Sequence, residues 1–199
     1  MKPLRKILFF GVLLFAAPRA LAQSEGGLQV KELRKPFSLR VLGEYTGLKT
    51  EQAFLGGAGL NFNFGYAIND RYELSASVRH SLLFPSFSPY FTSIDVRATY
   101  ALTGKLISTE KQYFIHEQKF ASVVDQGIEG FRVSFIVGQF FFSGLQNVIP
   151  FSSFGASAFY EFPSSTNVSW VAGLRGDLMF NSSQGFYPVQ VYGGIRFGL

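Results

Sequence analysis

The sequence predicts an all-β fold, a transmembrane antiparallel up-and-down β-barrel of eight strands, with ten as the alternative. Three observations predict it. Apolar and polar residues alternate over stretches mostly 10 to 14 residues long. Soluble strands usually run about five or six residues, whereas a membrane crossing takes roughly 9–11. Aromatic residues and glycines are abundant, with 24 Phe, 9 Tyr and 21 Gly, although overall hydrophobicity is only average. Beyond the N-terminal segment, no stretch reaches the roughly 20 apolar residues of a transmembrane helix.

The N-terminal segment is read first, because it sets the address. Lys2, Arg5 and Lys6 precede an apolar run from Ile7 to Ala17, and Ala20-Leu21-Ala22 supplies the small-x-small pattern of a cleavage site. Residues 1–22 therefore read as a secretory signal peptide, cut after Ala22. The run is too short for an anchor helix, and Pro18 and Arg19 end it. Removing the segment takes away four basic residues and no acid, so the net charge falls from +5 to +1. The basic balance belongs to targeting, and no nucleic-acid partner is expected. Residues 23–36 form a short N-terminal segment expected on the periplasmic side, and 37–199 form the barrel.

The strands follow in order. The first, 37–46, carries Arg40 and Glu44 on its polar face. The second, 55–68, sets Leu60, Phe62, Phe64, Tyr66 and Ile68 against Asn61, Asn63, Gly65 and Ala67. Its Gly56-Gly57-Ala58-Gly59 run resembles a phosphate loop in composition only, since no helical pattern follows. It reads as a place of curvature or close packing. Asn69-Asp70-Arg71 makes a tight turn into the third strand, 72–83, whose polar face holds Glu73 and Arg79. The fourth, 91–102, sets Ile94, Val96, Ala98, Tyr100 and Leu102 against Asp95, Arg97, Thr99 and Ala101.

The segment 104–130 departs from the pattern. It carries Lys105, Glu110, Lys111, His116, Glu117, Lys119, Asp125 and Glu129. A further hairpin would make ten strands, but it would place Lys111 near mid-membrane at roughly 2–4 kcal/mol. A periplasmic excursion containing a short helix is the preferred reading.

The fifth strand, 131–142, alternates cleanly until Gln139-Phe140-Phe141-Phe142, where a bulge near Gln139 is expected to reset the phase. The sixth, 151–162, carries Glu161 inward. The seventh, 168–180, sets Val168, Trp170, Ala172, Leu174 and Leu178 against Ser169, Arg175 and Asp177. The eighth, 187–199, has Tyr187, Val189, Val191, Gly193, Ile195, Phe197 and Leu199 on one face, with Gln190 and Arg196 on the other. It is expected to close the barrel against the first strand. Short turns at 69–71 and 163–167 alternate with longer loops at 46–54, 84–90, 143–150 and 181–186. That asymmetry fits short periplasmic turns and longer external loops.

Strand phase collects the charges on one face. Arg40, Arg79, Arg97, Arg132, Arg175 and Arg196 share it with Glu44, Glu73, Asp95, Glu161 and Asp177. An eight-stranded barrel is just wide enough for its side chains to fill, so these charges must pair. The reading is a structural ion-pair core rather than a gated ion path. Two aromatic girdles are expected. Phe37, Tyr72, Tyr100, Phe162, Trp170 and Phe197 lie at the periplasmic level, and Phe84, Phe87, Tyr90, Phe91, Phe151 and Phe186 at the outer level.

Little else carries chemistry. There is no cysteine, and the only histidines are His80 and His116. A serine nucleophile needs a base within hydrogen-bond reach. His80 and Ser81 are adjacent on a strand and so point to opposite faces, with His80 outward and Ser81 inward. No catalytic, cofactor-binding or metal-binding residue is assigned, and no cofactor is expected. Asn167 and Asn181 begin glycosylation-type tripeptides that have no role in a Gram-negative envelope.

The signal ending in Ala22, the strands Leu60–Ile68 and Ile94–Leu102, and the closing run Val189–Leu199 together resemble small bacterial outer-membrane β-barrel proteins, the eight-stranded porin-like group. Such chains often end in an aromatic residue; here Leu199 is last and Phe197 stands two before it. The resemblance implies the outer membrane as location, outer-membrane lipid as surroundings, and reading of the last strand by the barrel-assembly machinery. It brings no catalytic motif. The expected role is non-enzymatic, structural or surface-interacting through loops such as Phe84–Tyr90 and Ser143–Pro150. An unidentified periplasmic or extracellular partner is left open. The alternatives are a lipid-modifying enzyme acting on lipid A or phospholipid, and a narrow solute channel.

Overall fold

The computed structural model describes residues 22–25, 28–49, 54–84, 90–115, 118–125, 128–143, 148–165, 167–182 and 185–199. Twelve strands are described: β1 (Ala22–Glu25), β2 (Leu28–Lys35), β3 (Phe37–Lys49), β4 (Phe54–Ala67), β5 (Tyr72–Leu83), β6 (Tyr90–Ala101), β7 (Ser108–Ile115), β8 (Gln118–Asp125), β9 (Gly130–Ser143), β10 (Val148–Ser165), β11 (Val168–Phe180) and β12 (Gly185–Gly198). Eight of them form a closed barrel in the order β10-β11-β12-β3-β4-β5-β6-β9, every neighbouring pair antiparallel. The chain closes on itself where β12 pairs with β3, from Tyr187 opposite Lys49 to Gly198 opposite Ser38. Closure removes every free strand edge, which a sheet in hydrocarbon requires.

We call the end bearing Phe37 and Gly198 the base, and the opposite end the mouth. Two of the three base connections, from β4 to β5 and from β10 to β11, are short, and the third runs from β6 to β9. Asn69 turns the chain by accepting the N–H groups of Arg71 and Tyr72 on its Oδ1, at 2.8 and 2.9 Å, the Asx geometry that suits asparagine to turns. All four mouth connections contain residues outside the described ones, at 50–53, 85–89, 144–147 and 183–184. The expected contact loops, Phe84–Tyr90 and Ser143–Pro150, therefore lie largely outside the described residues.

Alternation places the side chains. β5 and β6 alternate between exposed and buried residues along nearly their whole length. The exposed residues form the outer wall, with Leu60, Phe64, Val96, Phe135, Leu174 and Val191 all more than half exposed. Apolar groups facing outward along whole strands are the signature of a lipid-facing surface. Arginine in place of Leu174, midway along β11 and 57% exposed, is expected to cost about 2–4 kcal/mol, as charge does near the bilayer midplane. Urea unfolding in lipid vesicles, with Asn181→Arg at the end of β11 as the low-cost control, measures it.

The base girdle lies where expected. Tyr72, Tyr100, Phe162 and Trp170 are exposed, and rings pair side by side: Tyr72 with Tyr100 and Phe37 with Tyr66, both at 5.1 Å, and Tyr160 with Phe162 at 4.6 Å. The outer set needs correction. Tyr90 faces outward, but Phe91 and Phe151 are buried and Phe186 packs against the same inward cluster. Phe87 lies outside the described residues.

No bulge occurs at Gln139 either. β9 keeps one register with β6 and with β10 through Ser143. The apparent loss of phase arises because the inward residues there, Phe140 and Phe142, are as apolar as the outward Phe141. The irregularity that does occur is at the base end of β10, between Pro163 and Ser165.

The segment 104–130 also differs from expectation. It contains no short helix among its described residues. It holds the strands β7 and β8, which take no place in the barrel and lie beside β1 and β2 in a four-stranded sheet of order β1-β2-β7-β8. β-Branched and aromatic residues favour the extended chain there. Within that sheet Tyr113 meets Phe120 at 6.2 Å, and the Glu110 carboxylate accepts hydrogen bonds from Gln112, Lys119 and Ser122.

Candidate functional site

The part of the barrel with the most chemistry is its interior. All eleven charged residues assigned inward from strand phase are buried there: Arg40, Arg79, Arg97, Arg132, Arg175, Arg196, Glu44, Glu73, Asp95, Glu161 and Asp177. All but Arg97 form two clusters.

The cluster toward the base centres on two acids. Arg40 grips Glu73 with two guanidinium nitrogens, at 2.6 and 3.1 Å, and donates from Nε to Glu161 at 3.1 Å. Its Nη1 also donates to Asn63, whose amide passes on to Ser75, while Ser38 donates to Glu73. Glu161 is shared further. Arg132 approaches its second oxygen at 3.4 Å and Arg196 its first at 3.7 Å. One carboxylate thus faces three cations.

The cluster toward the mouth is built on Arg175 and Arg79. Arg175 Nε reaches both oxygens of Asp177, at 3.0 and 2.8 Å, and its Nη1 donates to Asp95 at 2.8 Å. Arg79 donates to Ser93 and Gln190, and lies 3.5 Å from Glu44 and 3.9 Å from Asp177. Gln190 donates in turn to Asp177, Ser81 to Glu44, and Ser77 and Ser93 to Asp95. Charge-assisted bonds of this kind are the strong ones, and buried charges need them.

Glycine makes room for the acids. Gly138 stands opposite Asp95 across the β6–β9 pair, and a Cβ there would run into the Asp95 carboxylate and the backbone carbonyl of Ile94. Gly155 stands in the same relation to Asp177. The strand glycines are thus tied to the ion pairs. Gly138→Val is expected to lower stability by about 1–3 kcal/mol through overpacking, read by urea unfolding. Gly176→Val, where a Cβ meets nothing within 4 Å, is expected to change little.

Both ends of the interior are closed. At the mouth, Leu83, Phe91, Phe140, Phe151 and Met179 form a buried apolar cap, joined by Phe142 and Phe186. Phe142 contacts Phe91 at 5.7 Å and Phe151 at 5.4 Å. Arg79 lies beneath this cap, 4.5 Å from the Phe140 ring centroid and 5.2 Å from that of Phe91, a favourable cation–π geometry. At the base, the chain leaving β6 turns across the barrel. Gly104 adopts the left-handed φ of 67° that glycine accommodates freely. Leu106 and Ile107 then bury against Ala67 and Ala101, and Leu106 N–H donates to Asp70 O at 2.9 Å. Arg132 donates to the carbonyls of Thr103, Lys105 and Ile128, and Arg196 to that of Leu106 at 2.8 Å. Two cluster arginines therefore also clamp the base plug.

Sequence reasoning found the charges but not these closures. For the cap, the signal was the aromatic run at 140–142, read as a bulge. For the plug, no signal precedes the structure. His80 and Ser81 separate as expected: His80 Nδ1 lies 3.0 Å from Thr92 Oγ1, its ring tilted against that of Tyr90 at 5.2 Å, while Ser81 is buried on Glu44. Among the described residues no group of three or more His, Cys, Asp or Glu side chains is placed to hold a metal.

No family model matches the chain, and no curated protein matches it in sequence. Solved structures do match in fold. The crystal structure of Neisserial surface protein A (NspA) is 16% identical over 83% of this chain and 99% of its own, with a TM-score of 0.56. Ail, the attachment invasion locus protein of Yersinia pestis, is 13% identical over 82% of this chain and 99% of its own, at 0.42. The N-terminal β-barrel domain of Pseudomonas aeruginosa OprF is 12% identical over 82% and 99%, at 0.39. With the closed eight-stranded barrel and its apolar outer wall, the first of these establishes the fold as that of the small outer-membrane barrels.

Proposed function

We propose that this chain is a non-enzymatic outer-membrane protein. Its barrel is a closed scaffold, and its role, structural or in surface interaction, is exercised by the connections at the mouth. The observation that carries this reading is the interior. It is filled with charges, all but Arg97 in ion-pair clusters, and closed at one end by phenylalanine and at the other by the 103–108 turn. A solute path would need a continuous polar lumen, and a catalytic site would need titratable groups open to substrate. The similar neisserial structure is of a protein named for the surface, which suits the same reading.

The base faces the periplasm in this proposal and the mouth faces outward, with outer-membrane lipid around the wall. Residues 1–22 are removed as a signal peptide, and β12 is the strand read by the assembly machinery. Two measurements test it together. Outer-membrane fractionation should recover a protein whose gel mobility changes on boiling. Planar bilayers containing the folded protein should show no stable ohmic steps. Conductance of that kind overturns the closed scaffold, and recovery in the soluble periplasm overturns the location. A reproducible acyl-chain change in lipid A from cells carrying the protein would overturn the non-enzymatic reading.

A further inference from the structure

Two polar side chains face outward from the mouth half of the lipid-facing wall. Gln139 on β9 and Ser152 on β10 are both exposed and stand directly opposite each other in the strand register. Among the described residues neither makes a side-chain hydrogen bond. Elsewhere on the same wall an opposite pair does bond. His80 and Thr92 face each other across β5 and β6, with Nδ1 3.0 Å from Oγ1. A polar side chain facing hydrocarbon is costly unless it is hydrogen-bonded.

The pair lies in a groove. Ile94, Gln139, Ser152 and Phe180 form one row across four strands. Val96, Val137 and Phe154 form the next row toward the base. Ser152 is the small residue of its row, and the hollow over it has a volume of about 500 Å³, within the range of small-molecule sites. Phe154 and Phe180 stack at 5.9 Å, 7° from parallel, and wall one side. The branched side chains of Ile94, Val96 and Val137 wall the other.

The shape and the polar pair select an occupant. A second barrel presents a convex wall, which cannot follow a groove, whereas an acyl chain can. The linkage of that chain would then sit at Gln139 and Ser152, level with Phe180, where β11 ends. The Gln139 carboxamide carries both donors and an acceptor, and Ser152 adds a hydroxyl. An ester offers acceptors only. An amide offers N–H and C=O together and meets both ends of the carboxamide.

We propose that this groove binds one amide-linked acyl chain of an outer-leaflet lipid, of the lipid A class, with the amide on Gln139 and Ser152 and the chain running past Val137 and Phe154 toward the base. The inference rests on the outward mouth and the lipid surroundings proposed above.

The mature chain refolded in detergent micelles, with equal amounts of lipid A and of the ester-linked phosphatidylglycerol, tests it. Native mass spectrometry reads which lipid each barrel retains as detergent is stripped, and one lipid A per monomer is expected. Ser152→Phe fills the hollow and should abolish that retention. Gln139→Leu keeps the hollow and should lower lipid A retention roughly three- to tenfold, the net worth of one hydrogen bond, with phosphatidylglycerol unchanged. His80→Leu, on another part of the wall, should leave both lipids as they were. Folding of each variant is checked by its heat-modifiable band. Equal retention of the two lipids, retention unaltered in Ser152→Phe or Gln139→Leu, or a dimer that persists without lipid overturns the proposal. A chain that forms no heat-modifiable barrel fails the membrane reading and this proposal with it, whereas a folded barrel without lipid A fails this proposal alone.

Discussion

Glu161→Gln is expected to cost about 3–5 kcal/mol of folding stability, the penalty typical of removing one partner from a buried ion pair. The effect is large because this carboxylate faces Arg40, Arg132 and Arg196 together. Arg40 keeps Glu73, but Arg132 and Arg196 lose the one carboxylate that lies within 4.0 Å of them among the described residues. Both also hold the carbonyls of the base plug, so the closure of the base weakens with the pair. Urea titration of the refolded barrel in lipid vesicles, scored by the heat-modifiable band, measures the loss. Adding Arg132→Met to Glu161→Gln should restore part of it, since a buried cation is removed along with its partner. A loss under about 1 kcal/mol would show that the cluster is hydrated, and would contradict a sealed core.

Phe140→Ala is expected to cost about 3–5 kcal/mol, the range for emptying an aromatic site in a packed core. Phe140 is fully buried, packs on Phe91 at 5.5 Å, and presents its face to Arg79. Its loss opens a cavity in the mouth cap and exposes the cation beneath. Phe141→Ala is the control. Phe141 is next in sequence but lies on the outer face, where alanine loses only lipid contact. The same unfolding titration distinguishes the two, and equal costs would mean that the cap does not close the mouth. The comparison also tests the uninterrupted register of β9, because a bulge at Gln139 would exchange the roles of the two residues.

How far the fold could be read before the structure depended on contrast between the two faces of each strand. Along β5, β6 and β11 the contrast is strong, apolar outward and polar or charged inward, and the strand limits and phase were legible within a residue or a few. At the mouth end of β9 the contrast disappears. Phe140, Phe141 and Phe142 are equally apolar, so alternation carries no information about which of them points inward. Phe91, Phe151 and Phe186 failed for the same reason, since a girdle aromatic and a cap aromatic are the same residue at the same height. The base plug was illegible for a different reason. Leu106 and Ile107 are two apolar residues in a charged segment, and what buries them is Ala67 and Ala101 at the ends of β4 and β6, with Leu106 held to the distant turn at Asp70.

The sequence by itself determined that strands cross a membrane and which face of each strand carries charge, and it left eight or ten strands for the structure to decide. Those properties have a period of two residues and are written within ten or so neighbouring positions. Only the tertiary structure decided which charge meets which. Arg40 and Glu161 are 121 residues apart, and Arg175 and Asp95 are 80 apart. Their meeting depends on the register of every intervening strand pair and on closure of β12 against β3. It also decided that both ends of the interior are shut. The physical reason is that alternation is local, whereas charge pairing across a lumen is fixed by the cumulative stagger of the strands around the ring.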